Sequence, residues 1–218
     1  ELGFTKKQNN ASFGANIFYM LYKNQLVLTG QINDVGSYTR TNVPNSYRAG
    51  IELEGTYRFT DWLNTAANLS LSANKINSFT EYIDNWDNGL QNAVKHNNSD
   101  ISFSPNTIAG ATVNILPAKN INISLISKYV SKQYLDNTQT ENRSLKSFYT
   151  QDIKVVYSLK KKLFKELNVF GQVNNVFNTL YQPNGWTYAY IYNNTLNTEN
   201  AYFPMAGTNF IMGLNIKL

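Results

Sequence analysis

The chain contains no cysteine. That excludes a disulfide frame, a thiolate metal site and a cysteine nucleophile. It is also short of charge: Asp, Glu, Lys and Arg make up 15% of its 218 residues, against roughly 25% in ordinary soluble domains. Long apolar runs are missing as well. The longest, IFYMLY from Ile17 to Tyr22, falls far short of the ~18 residues that a membrane helix needs, so a helical membrane protein is excluded. There is a single histidine, His96, in NAVKHNNSD. It has no partner at helical or strand spacing and is expected to face solvent. No GxSxG, glycine-rich phosphate loop or HExxH occurs. The chain is therefore not read as an enzyme, and no catalytic residue, metal ligand or cofactor is expected. It opens on Glu1 rather than Met, with no charged stretch leading into an apolar one. Glu1–Phe4 already reads as strand, so the chain is expected to be a piece of something longer, cut at its N-terminus.

The net charge is +5, with the cations dispersed. The one tight cluster, KKKLFK at Lys160–Lys165, reads as a solvated turn. Nothing resembles a nucleic-acid-binding motif, and nucleic acid is not an expected partner. What the chain has in quantity is aromatic side chains (14%, with 15 Tyr and 12 Phe) and 33 Asn. It is polar without being charged.

Those residues are ordered with period two. In SYRAGIELEGTYRFT, residues 46–60, Tyr47, Ala49, Ile51, Leu53, Gly55, Tyr57 and Phe59 alternate without error against Ser46, Arg48, Gly50, Glu52, Glu54, Thr56, Arg58 and Thr60. This is a strand with one apolar and one polar face; a helix would scatter the same residues around its circumference. The pattern recurs over residues 12–28, 62–75, 106–116, 120–130, 148–159 and 167–177. With the opening fragment and the closing run Asn209–Leu218, it predicts about nine strands of ~11–15 residues.

A soluble sandwich alternates too, but the connections separate the two cases. They run short (6–11), long (29–45), short (60–61), long (78–104), short (117–119), long (131–147), short (160–166), long (178–206). Antiparallel neighbours place every short turn at one end and every long loop at the other, the arrangement of an outer-membrane barrel. In hydrocarbon no solvent pairs a free N–H or C=O, and a closed sheet of amphipathic strands satisfies them all. The expected fold is an all-β antiparallel transmembrane barrel, its apolar parity toward outer-membrane lipid and its Asn/Ser/Thr/Gly/Glu parity toward a lumen. Tyr57, Phe59 and Trp62 would form an interfacial girdle at the short-turn end, and Tyr19, Tyr22, Phe79 and Tyr129 a second one.

Several segments resemble TonB-dependent outer-membrane receptors. NNVFNTLY at 174–181 resembles their NNLFDxxY segment, and AYFPMAGTNFIMGLNIKL at 201–218 their terminal yyPxxGRNfxxGxxxxF strand. RAGIELEG at 48–55 is similar to their GxExE strand, and TDWLNTAANLSLSANKI at 60–76 to the turn and strand that follow. The abundance of Asn and Tyr resembles receptors of the Bacteroidetes type. Leu218 stands where the family usually ends on an aromatic, and Ile211 where a polar residue usually precedes Gly213. The resemblance implies about nine C-terminal strands of a 22-stranded barrel, without its plug domain and earlier strands. It also implies a place in the outer membrane of a Gram-negative bacterium. The terminal strand would be the seam that meets the barrel's first strand and is read by the barrel-assembly machinery. The implied function is energised import of a scarce, large nutrient, an iron–siderophore complex first, then haem, cobalamin or oligosaccharides. TonB would act through a segment that this chain lacks.

Candidate site residues follow. Glu52 and Glu54, with Arg48 and Arg58 on the same parity, are either a hydrated lumen wall or, as the resemblance implies, contacts for the plug. A catalytic carboxylate pair is the third reading. In the long loops, FTEYIDNWDNG gathers Tyr82, Asp84, Trp86 and Asp87, and WTYAYIY sets Trp186, Tyr188, Tyr190 and Tyr192 on one parity. The second group is either a strand stacking on a neighbour or an aromatic wall for a bulky small-molecule or metal-chelate ligand. The competing reading of the whole chain is a self-contained small barrel of about eight strands with a structural or adhesive role. Such a barrel would close on itself, and its interior would be filled by side chains.

Overall fold

A computed structural model of the protein describes residues 1–161 and 164–217. Lys162 and Leu163 in the basic run, and the terminal Leu218, lie outside the described residues. The strands in chain order are β1 (Leu2–Lys7), β2 (Ala11–Ile32), β3 (Tyr38–Arg58), β4 (Leu63–Asn85), β5 (Leu90–Asp100), β6 (Thr107–Ala118) and β7 (Ile121–Val130). They continue as β8 (Gln133–Tyr134), β9 (Ser144–Leu145), β10 (Phe148–Lys161), β11 (Phe164–Asn174), β12 (Asn184–Tyr192), β13 (Thr195–Phe203) and β14 (Asn209–Lys217). Among the described residues twelve of them share one sheet, whose main path of nine runs antiparallel in the order β1-β2-β3-β4-β6-β7-β10-β11-β14, with β5, β12 and β13 attached beside β4. The strand count matches the alternation. β1 and β14 are the two edges and do not pair with each other. The chain does not close a cylinder of its own, which goes against the small-barrel reading.

Register lines like with like. Ile17, Ile51 and Leu71 stand abreast across β2–β4, and Val113, Leu125, Ile153, Val173 and Phe210 across the other half. Ile17, Ile51, Leu71, Val155, Val173 and Phe210 are exposed. This apolar face is an open exterior band, not a sealed interior, and continuous exposed apolar surface of this kind marks contact with another apolar phase. On the opposite face Asn64, Asn114, Ser124, Lys154 and Gln172 stand abreast. Amide-to-amide and hydroxyl-to-amide bonds link Asn64, Asn114 and Ser124 at 3.0 and 2.6 Å.

Three expectations change. β2, β3 and β4 run to 22, 21 and 23 residues, not 11–15. At ~3.3 Å per residue they reach ~70 Å, more than twice the hydrocarbon thickness. The stretches read as long loops at 29–45 and 78–104 are mostly ladders that continue past the apolar band. The turn between β2 and β3 is tied by Asn33, whose Oδ1 accepts the Val35 and Ser37 amides, and Gly36 there takes φ +78°. Second, a dry cluster does exist, but at this outer end: Val27, Val43, Ile76 and Ile101, with Phe79 packed against it. Third, the upper girdle loses two members. Tyr19 and Tyr129 are exposed. Phe79 belongs to the outer cluster, and Tyr22 shares the polar parity of β2, where its hydroxyl donates to Met20 Sδ. Tyr57, Phe59 and Trp62 are exposed at the short-turn end, with Tyr57 and Phe59 edge to face.

Candidate functional site

Two hairpins from the C-terminal half fold over the outer end of β2–β5. One is β8–β9 within residues 131–147; the other is β12–β13 within residues 178–206. Each is anchored to the N-terminal half by polar contacts between side chains far apart in sequence.

In β12, Gly185, Thr187 and Ala189 are buried, and the opposite parity carries Trp186, Tyr188, Tyr190 and Tyr192. β12 meets the top of β4 in parallel, Tyr190 beside Asp84 and Ile191 beside Asn85, and the Trp86 amide donates to the Ile191 carbonyl at 2.9 Å. The two candidate groups named from sequence are thereby brought together. Trp86 stacks on Tyr190 with ring centroids 4.1 Å apart and planes 16° apart, and Tyr188 stacks on Tyr190 at 5.7 Å. Asp84 accepts from Gln91 Nε2 at 2.8 Å and from the Tyr188 hydroxyl at 2.7 Å. Gln91 first, then Tyr188, holds the Asp84 carboxyl below the ordinary carboxylate range. Desolvation and the bond to Asp84 push the Tyr188 phenol up. Asp87 accepts the Asn193 and Asn194 amides at 2.8 and 2.7 Å; those residues take φ +51° and +56° at the β12–β13 turn. Both carboxylates thus join the β4–β5 end to the β12–β13 hairpin. The aromatics stack across strands, as one of the two sequence readings holds, while Tyr82, Trp86 and Tyr192 still present exposed ring surface. Trp186 lies on the same face, opposite Ala201, and takes no part in the stack.

The second hairpin is held by residues that sequence reasoning did not select. Arg143 Nη1 donates to Glu81 Oε1 at 2.6 Å and to Asp136 Oδ2 at 2.9 Å. Its side chain is 3% exposed, those of Glu81 and Asp136 16% and 7%. Burial works to lower the Arg143 pKa, but the bonds to both carboxylates outweigh it and leave it raised. His96 corrects the expectation of a solvent-facing side chain. It is largely buried, bonds Glu81 Oε2 through Nε2 at 2.8 Å and stacks on Phe79 at 5.0 Å. Asn137 donates to the Leu28 carbonyl at 2.6 Å and accepts the Ser102 amide at 2.9 Å. A local signal did exist, since β5 sets His96 directly opposite Phe79 on β4. Arg143 lies 62 residues from Glu81 in a loop without periodicity, and no pattern connects them.

The four residues on the polar face of β3 separate. Arg48 is partly buried and donates to Asn74 Oδ1 at 2.8 Å and Ser104 Oγ at 3.2 Å. Arg58, ten residues on and therefore ~33 Å away along the strand, pairs with Asp61 at 3.4 Å on the exposed turn. Glu52 and Glu54 lie between them, both exposed, with no ion pair or hydrogen bond among the described residues. Glu54 has room because Gly14 stands opposite it: a Cβ there would lie 2.9 Å from Glu54 Oε1. The face around these two carboxylates holds Asn16, Asn68 and Ser70 and is wet, uncrowded and open. Among the described residues no three of His, Cys, Asp and Glu gather as a metal site.

A family model described as TonB dependent receptor-like, beta-barrel, matches residues 1–176. No curated protein matches the sequence. Among solved structures, the siderophore receptor PiuA from Acinetobacter baumannii superposes with a TM-score of 0.67 at 17% identity, over 98% of this chain and 27% of that one. The FrpB iron transporter from Neisseria meningitidis (F5-1 variant) gives 0.62 at 21% identity, over 98% and 30%. The copper transporter OprC gives 0.64 at 15% identity, over 97% and 30%. At these identities the likeness is one of fold. The chain spans under a third of the length of these three structures.

Proposed function

The chain belongs to the TonB-dependent receptor-like β-barrel family, and from that premise we propose that it is the C-terminal portion of a larger, 22-stranded outer-membrane importer. The family's members sit in the outer membrane of Gram-negative bacteria and work by binding and rearrangement rather than covalent chemistry. In this reading the exposed apolar band contacts lipid, β14 is the seam recognised by the barrel-assembly machinery, and TonB engages a segment outside this chain. The cargo is a large, scarce nutrient. An iron–siderophore complex is the first choice, because two of the three structures described above are named for siderophore or iron and because Tyr82, Trp86 and Tyr192 offer ring surface to a flat ligand. Haem and cobalamin share that flatness. Glu52 and Glu54 are the proposed seat for a plug, since two unpaired carboxylates on a wet wall suit charge-assisted bonds to arginine.

The observation that carries the reading is the division of one sheet into an exposed apolar face and a polar face over which the outer hairpins fold. The test is uptake by cells expressing the full-length gene, with and without a functional TonB, supplied with radiolabelled ferric siderophores, haem and cobalamin. TonB-dependent accumulation of one of them is expected. Uptake indifferent to TonB, or a protein that fractionates away from the outer membrane, would overturn it.

A further inference from the structure

An asparagine followed by glycine is open to attack by the chain on itself, because glycine puts no side chain between its own nitrogen and the preceding amide. The sequence holds two such pairs, Asn88–Gly89 and Asn184–Gly185, and the fold treats them differently. At the β4–β5 turn the Gly89 amide donates to the Asn85 carbonyl at 2.8 Å, and Asn88 Oδ1 accepts from the Leu90 amide at 2.9 Å. Nucleophile and electrophile are turned to different partners. At the start of β12 they are turned to each other. The Gly185 amide donates to Asn184 Oδ1 at 2.9 Å, which sets the nitrogen beside the Cγ it would attack.

Two further features act on this pair. The Tyr38 hydroxyl, reaching over from β3, lies 2.8 Å from Asn184 Oδ1 and 2.7 Å from the Gly185 carbonyl oxygen. Its ring is braced edge to face by Phe103 at 5.7 Å. Burial pushes the Tyr38 phenol up, against a smaller lowering by the bond to Asn184, so it remains a proton donor in mild alkali. A donor aimed at the amide oxygen stabilises an oxyanion formed there. The other feature is the glycine itself. A Cβ on residue 185 would stand 2.6 Å from the Ala201 carbonyl oxygen and 3.1 Å from Leu135 Cδ2. The packing of β12 on β13 and on the 131–147 segment therefore keeps the least obstructed nucleophile next to Asn184.

We propose that Asn184–Gly185 is a self-modification site, at which the folded chain converts the asparagine to aspartate and isoaspartate through a cyclic imide. Hydroxide removes the Gly185 amide proton, the nitrogen's electron pair bonds to Asn184 Cγ, and the carbonyl pair moves onto Oδ1, where the Tyr38 hydroxyl donates to it. The pair then returns, the Cγ–Nδ2 bond breaks, and Nδ2 takes a proton from water and leaves as ammonia. Water opens the imide. Addition at Cγ breaks the new bond and gives aspartate; addition at the main-chain carbonyl of residue 184 breaks the old peptide bond and gives isoaspartate. The net change is asparagine and water to acid and ammonia, without oxidation or reduction. Isoaspartate carries an extra carbon in the backbone. That carbon falls between two anchors, the Pro183 carbonyl that accepts from Gln133 Nε2 at 3.3 Å and the Gly185 carbonyl beside Tyr38, so β12 can no longer meet both.

The test follows both Asn-Gly pairs in one molecule. Purified full-length receptor is incubated in warm, mildly alkaline buffer made with ¹⁸O-water, folded in micelles and, in parallel, unfolded in denaturant. Peptide mass spectrometry measures acid formation at residues 88 and 184, and an isoaspartyl methyltransferase labels the isoaspartate. In the folded receptor Asn184 is expected to react at least about threefold faster than Asn88, and in denaturant the two rates should agree within about twofold. Tyr38→Phe is expected to slow the reaction at Asn184 about tenfold and leave Asn88 unchanged. Far-UV circular dichroism and heat-modifiability of that variant should stay those of the parent. A folded-state rate at Asn184 no faster than at Asn88, a preference that survives denaturation, or an unchanged rate at Asn184 in Tyr38→Phe would each overturn the site. None of these outcomes touches TonB-dependent uptake, on which the proposal does not depend.

Discussion

Replacing Arg143 with Met tests what holds the 131–147 hairpin in place. The guanidinium is 3% exposed and donates to Glu81 and Asp136 at 2.6 and 2.9 Å. Met fills most of its volume but leaves two carboxylates facing one another out of solvent. Removing one member of a buried charge cluster typically costs about 3–5 kcal/mol. Glu81 keeps His96 as a partner and retains some contact with solvent, so the lower end, about 3 kcal/mol, is the expected figure here. That is a rise of about 150-fold in the local opening equilibrium. Native-state hydrogen exchange, read by mass spectrometry on the full-length receptor in micelles, measures it directly. The reporting amides are Leu135, bonded to the Arg143 carbonyl, and Arg143, bonded to the Thr140 carbonyl, while peptides from β10 and β11 serve as the internal control. Adding Glu81→Gln and Asp136→Asn to Arg143→Met removes the stranded charges and should recover most of the protection. Exchange in 131–147 within about threefold of the parent would mean that Leu135, Leu145 and Asn137 hold the hairpin unaided, and the electrostatic account would fail.

The β12–β13 hairpin should respond to acid. A carboxyl held below its unfolded value contributes stability above that value and loses it as pH falls through the folded one, so the Asp84 tie should persist at pH 5–8 and weaken below about pH 4. Quenching of the Trp86 ring against Tyr190, followed by fluorescence of a variant retaining only that Trp, reports this, and release at neutral pH would contradict it. Gly50→Val should block assembly, because a Cβ there would stand 2.5 Å from the Leu71 carbonyl oxygen and 2.7 Å from the Phe18 ring; backbone cannot yield as a side chain can, and loss of the folded, heat-modifiable band on gels is the expected result. Glu52→Gln with Glu54→Gln in the full-length receptor should loosen a plug seated on them, raising liposome swelling rates and antibiotic sensitivity. Unchanged permeability would remove the two carboxylates from that role.

The sheet was legible because one apolar and one polar face impose a binary choice on every strand residue. Fifteen residues from Ser46 to Thr60 state it without an error, and the register that sets Ile51 beside Ile17 and Leu71 follows from that parity. Lengths were less legible. Thr29, Gln31 and Thr41 are polar and stand past the apolar band, so the period disappears while the ladder continues. The outer site was legible only by composition. Trp86 and Tyr190 stood out as aromatics, but that they stack on each other depends on a parallel contact of two residues between β4 and β12. Asp84 and Asp87 were singled out for ligands; in the structure their oxygens are occupied by Tyr188, Gln91 and the Asn193–Asn194 turn. His96, Glu81, Asp136 and Arg143 come from three separate segments, and charge complementarity between distant loops leaves no periodic trace.

The hairpin ties have a consequence for the order in which the molecule is made. Asn137 reaches Leu28 across 109 residues, Tyr188 reaches Asp84 across 104, and the Tyr38 hydroxyl bonds Asn184 and Gly185 across 146 and 147. Neighbouring strands can zip one after another, each closing a modest loop, whereas these knots wait for chain made more than a hundred residues later. The rim that carries the hairpins is thus the last of these parts to set. Until Tyr188 and Asn184 arrive, the top of β2, β3 and β4 stands as an unroofed palisade, with Val27, Val43 and Ile76 among the apolar groups that any helper present at that moment would have to shelter.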